Sequence, residues 1–94
     1  MENRDSNAVI TVVGTDQVGI ISKVSSYLAG ENINIVDISQ TILSGSFVMM
    51  MMVDYSAALK KIGEIKQDLV ELGESLNVSI NLLNQKVFSA MHRI

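Results

Sequence analysis

Seven consecutive apolar residues, Phe47-Val48-Met49-Met50-Met51-Met52-Val53, constrain this chain more than any other feature. The run is far too short to span a bilayer as a helix, which takes about 20 residues. With Ser44-Gly45 before it and Asp54 after it, it reads as a β-strand. Successive side chains of a strand point to opposite faces, so both faces of this one require burial. A single layer of helices covers only one face of a sheet, and the other face should be half polar. Two covers are expected for that second face: a tail helix from Gln85 to Met91, or a second subunit. The same alternation prevents Met49 to Met52 from forming one metal site together. Their thioethers are suited to filling irregular gaps in a core.

The remaining elements follow from period and punctuation. Ala8 to Val13 is short and β-branched, a first strand. The loop Gly14-Thr15-Asp16-Gln17-Val18-Gly19 breaks it. Ile20, Val24, Tyr27 and Leu28 then share one face of a helix over residues 19–29, with Gly30 as its stop. Ile33 to Ser44 reads as a long strand with Val36, Ile38 and Ile42 on one face. Its other face mixes Ile35 and Leu43 with Asp37, Ser39 and Thr41. Ser44-Gly45 is a hairpin signal.

After the apolar strand, Asp54-Tyr55-Ser56 offers helix N-caps. Ile62, Ile65, Leu69, Leu72 and Leu76 mark a second helix, with Lys60, Lys61, Lys66, Asp68, Glu71 and Glu74 as its wet side. Val78 to Leu83 alternates as a last strand, and Asn84 can cap the tail helix. The order β-α-β-β-α-β with one hairpin predicts an α+β two-layer sandwich. Residues 1–7 form a polar tail and 8–94 a single domain.

The 94 residues carry a net charge of -3 and no run of Lys or Arg longer than Lys60-Lys61. Without a basic stripe, direct nucleic-acid binding and attachment to an acidic membrane are both disfavoured. There is no cysteine, which excludes disulfides, thiolate metal sites and cysteine nucleophiles. The polar start Met1 to Asp5 lacks an apolar signal core, so a cytoplasmic protein is expected. One histidine, His92, sits three residues from the end, and Ser22, Ser25 and Ser26 have no histidine near in sequence. No nucleophile–base set and no metal-ligand cluster is visible. The expectation is no enzyme, no cofactor and no metal.

The residues able to do something are those of the first loop. It joins a strand to a helix N-terminus, where free N–H groups and the helix dipole favour a carboxylate or phosphate. Asp16, Gln17, Val18, Gly19 and Ile20 form it. Gly19 lets a ligand approach the backbone, and Asp16 can accept hydrogen bonds from an ammonium group. Asn34 and Asp37, near the start of the second strand, complete the candidate set. That strand end is expected to lie near the loop. The glycine spacing fits neither a P-loop nor a dinucleotide site.

The chain resembles the ACT domain family. The resemblance runs through Val9 to Gly14, Asp16 to Ile21 and Asn32 to Ile38. It is closer still to stand-alone single ACT domain proteins of bacteria and archaea, through Asp37 to Ile42, the Phe47/Met49/Met51 strand and the ending Phe88 to Ile94. The glycine-cleavage repressor shares the first half of the pattern. The resemblance implies a ferredoxin-like sandwich, a four-stranded antiparallel sheet with two helices on one face, that pairs into homodimers. It also implies a small-molecule effector, an amino acid, held at the subunit boundary by Asp16, Gly19, Ile20 and Asn34, with Asp37 beside them. The regulated protein would then be a separate chain. Where the family often has proline before the glycine, this chain has Val18. Two rivals remain: a protein-interaction or dimerisation module without ligand, and a small acylphosphatase-like enzyme, which would need an arginine that the loop lacks.

Overall fold

A computed structural model describes residues 6–15 and 19–84. The elements are β1 (Asn7–Thr15), α1 (Ile20–Gly30), β2 (Asn34–Leu43), β3 (Ser46–Asp54), α2 (Ile62–Leu76) and β4 (Val78–Asn84). They form one four-stranded sheet in the order β2-β3-β1-β4, with every neighbouring pair antiparallel. This is the ferredoxin-like sandwich expected from the βαββαβ order. The expected tail helix falls outside the described residues.

Register explains which face each strand buries. Ala8, Ile10 and Val12 of β1 lie beside Val53, Met51 and Met49 of β3, and Ile10 and Val12 lie beside Leu82 and Ile80 of β4. These residues join Ile20, Val24 and Leu28 of α1 and Ile65 and Leu69 of α2 in one core. Both helices therefore cover the same face. Within the β3 run, Phe47, Met49, Met51 and Val53 are buried there, while Val48, Met50 and Met52 are half-buried on the opposite face. On that opposite face Val9 is only 2 % exposed, between Met52 and Leu83 of the flanking strands.

The turns show which local signals prevailed. Ser44 and Gly45 both have positive φ, 53° and 83°, as a tight two-residue hairpin turn requires. Helix α1 runs through Gly30, and Asn32 takes the left-handed position at φ 62°. The Ile33 N–H reaches the Leu28 carbonyl at 2.9 Å and the Asn32 N–H the Ala29 carbonyl at 3.1 Å, a Schellman ending. Helix α2 starts later than its Asp54–Ser56 cap signals suggested. Asp54 instead accepts the Ser56 N–H at 2.9 Å, an Asx turn. The N-cap of α2 is Lys61, whose N–H donates to the Glu64 carboxylate at 3.2 Å. Further along α2, Gly73 lets the helix press onto β4, since a Cβ there would stand 2.8 Å from the Val78 carbonyl oxygen.

Strand β2 departs from simple alternation. A bulge between Ile35 and Asp37 leaves Val36 without an opposite residue. Ile35 pairs with Val53 and Ile38 with Met51, so Ile35 shares the helix-side face with Ile38 and Ile42 rather than facing away with Asp37. The extra residue reverses the alternation that the sequence pattern assumed.

Helices α1 and α2 are tied by a polar clamp. The Tyr27 hydroxyl donates to Asp68 Oδ2 at 2.7 Å, and Lys60 Nζ donates to the same oxygen at 2.8 Å. Lys60 also lies 3.7 Å from Glu31 Oε2. Burial, and then the Asp68 carboxylate, push the Tyr27 phenol well above its usual value of 10.0. Tyr27→Phe is expected to cost about 1 kcal/mol at neutral pH, measured by urea unfolding. The sign with pH follows from the raised value. The folded state favours the protonated phenol, so this stabilisation is complete below pH 10 and is lost as pH rises from there through the folded-state value. The parent should lose more stability than Tyr27→Phe between pH 9 and pH 11.

Candidate functional site

Gly19 is the N-cap of α1, with φ 92° and ψ -1°. Only glycine adopts this conformation at little cost. Among the described residues beyond its chain neighbours, nothing lies within 4 Å of where its Cβ would stand. Among the described residues no side chain caps the first turn, and no acidic residue lies in that turn. The N–H groups at the start of a helix carry partial positive charge, and nothing anionic in this turn competes for them. The Ile20 side chain is buried in the core, so only its main chain is available to a ligand. Asp16, Gln17 and Val18 lie outside the described residues.

Asn34 and Asp37 do not join this loop within one chain. Strand β2 runs parallel to β1, because each is antiparallel to β3. Asn34 pairs with Asp54, and Asp54 with Asn7, at the far end of the sheet from Thr15 and Gly19. Eight residue steps along β1 separate those ends, roughly 26 Å. The expectation that the start of β2 lies near the first loop is therefore corrected: a helix antiparallel to its strand returns the chain to the opposite end. Asn34 instead borders a groove of about 380 Å³ with Ala29, Asn32, Ile33 and Ala57. Asp37 lies beside Val9, Ser39, Met50 and Met52, and its Oδ1 accepts the Ile38 N–H at 2.9 Å.

What lies beside the start of α1 is the other end of β2. Ile21, Gln40, Thr41, Ile42 and Phe47 line a groove of about 380 Å³. Sequence reasoning named none of these five as a site candidate. Ile21 was the available signal, an isoleucine next to the buried stripe of α1 but outside it.

The groove opens at the free edge of the sheet, where β2 is the outer strand. Val36, Ile38 and Ile42 are 54 %, 41 % and 60 % exposed along it. Edge strands are usually protected by lysine, proline, short length or a bulge, and β2 has its bulge at Val36, ahead of the exposed Ile38 and Ile42. This one has ten residues, a single charge at Asp37 and no proline. Among the described residues, no group of three or more His, Asp or Glu could hold a metal ion. Nor, among them, is any helix long and apolar enough to cross a membrane.

A family model described as the ACT domain matches residues 6–82. A UPF0237 protein of Listeria monocytogenes is 51 % identical over 87 residues, covering 93 % of this chain and 98 % of that protein. An ACT domain protein of Streptococcus pneumoniae superposes with a TM-score of 0.77 at 39 % identity, over 87 % of this chain and 92 % of that one. A putative glycine cleavage system transcriptional repressor gives a TM-score of 0.70 at 26 % identity, over 81 % of this chain and 43 % of the repressor.

Proposed function

Because the chain belongs to the ACT domain family, a family of regulatory small-molecule-binding modules, we propose that it is a homodimeric sensor of an amino acid or similar small carboxylate. The observation that carries this reading is the Gly19-capped start of α1, with no acidic residue in its first turn, beside an exposed apolar edge. Two copies joined antiparallel along β2 bring the start of one β2 to the end of the other. Asn34 of the partner subunit then lies on the same side as Gly19 of this chain, and the roughly 26 Å between them within a chain no longer matters. The effector carboxylate sits on the main-chain N–H groups of Gly19 and Ile20. Its ammonium group is met by Asp16 and by Asn34 of the partner subunit, with Asp37 of the partner subunit near. A ligand spanning both chains shifts the dimer only by its differential affinity for two arrangements, and a separate protein in the cytoplasm reads the change.

Calorimetric titration with all twenty amino acids, on protein shown by light scattering to be a dimer, tests this reading. At least one amino acid is expected to bind. Gly19→Val should weaken it at least tenfold, because a β-branched residue at φ 92° strains the backbone by about 1–3 kcal/mol. A monomer overturns the proposal. A dimer that binds no amino acid favours instead a dimerisation or protein-interaction module, which the same apolar edge would serve.

A further inference from the structure

The groove beside the start of α1 indicates which amino acids fit, a deepening that rests on the effector reading above. We infer that the effector carries an aliphatic or thioether side chain, held against Ile21, Ile42 and Phe47. Among the described residues, none that lines the groove is charged. A charged effector side chain placed against these residues would lose water and find no counter-charge on them, which is unfavourable. The apolar walls argue in the same direction. Ile42 is more than half exposed, and Ile21, on the first turn of α1 that Gly19 opens, is 36 % exposed. Phe47 is buried and forms the floor. An effector whose carboxylate rests at the Gly19 end has its side chain within reach of these three residues, and covering them removes apolar surface from water. Gln40 and Thr41 are the polar members of the lining. They supply a competing expectation, that a small hydroxyl or amide side chain is preferred.

Calorimetry of the full chain with L-leucine, L-isoleucine and L-methionine, against L-serine, L-asparagine, L-glutamate and L-lysine, separates the two. The apolar set is expected to bind at least tenfold more tightly, since a single methylene in such a pocket is worth about 10–200-fold. Ile21→Ser should lower the affinity of the apolar set by about tenfold, with dimer mass and circular dichroism unchanged. Ile21→Leu should restore most of it. The inference is overturned if a polar or charged amino acid binds as tightly as the best apolar one, or if Ile21→Ser binds as well as the parent. Binding confined to polar amino acids removes this inference and leaves the sensor reading standing. Binding of none removes both.

Discussion

Replacing Ile38 with lysine is expected to turn the protein into a folded monomer that no longer binds its effector. Ile38 points to the helix side of β2 and is 41 % exposed in a single chain. Lysine there costs an isolated chain little. In a dimer joined antiparallel along β2, Ile38, at the middle of the strand, approaches its counterpart across the two-fold axis. Like charges opposed across a strand pair are destabilising, and edge lysines are a common natural block to pairing. Burying an isoleucine is worth about 1.5–3 kcal/mol. Two are involved per dimer, so the lower figure already weakens association on the order of a hundredfold. Light scattering should report half the parent mass, with circular dichroism and the unfolding midpoint close to those of the parent at matched monomer content. A variant that stays dimeric would move the seam off β2, and the joining of Gly19 with Asn34 of the partner subunit would go with it.

The largest loss of stability is expected from Leu69→Ala. Leu69 is fully buried on α2 and belongs to the single core shared by both helices and the sheet. A buried leucine cut to alanine costs about 2–5 kcal/mol, according to how far the site collapses. Small domains hold only about 5–15 kcal/mol in total. With a urea slope of about 1.5 kcal/mol/M, the midpoint should fall by about 1–3 M. Leu59→Ala is the matched control, because Leu59 is 72 % exposed and should change stability by no more than about 0.5 kcal/mol. Equal effects from the two would mean that α2 does not dock as described.

Patterns with long reach were readable from the residues. The period of three and four through Ile65 and Leu69, the unbroken run Phe47 to Val53 and the turn Ser44-Gly45 each allow one structure, and together they order the fold. The start of α2 was misplaced because Asp54 and Ser56 are as well suited to an Asx turn as to a helix cap, and local chemistry alone does not choose between them. The faces of β2 were misassigned at Ile35 because a bulge leaves no mark in a stretch where Ile35 and Val36 are both apolar. The site was legible only in part. Gly19 announces itself by residue type and position, whereas the separation of Asn34 from it follows from strand direction. Ile21 gains its meaning only once β2 and β3 stand beside α1.

The unmatched Val36 has one more consequence, for how this strand tolerates change over generations. A ladder with period two turns inside out when it gains or loses a residue. Loss of Val36 would leave Ile35 and Asp37 alternating as they already do against Val53 and Met52. The first third of β2 is therefore the place where the length of this strand can drift by one residue while the groove at its other end keeps its shape.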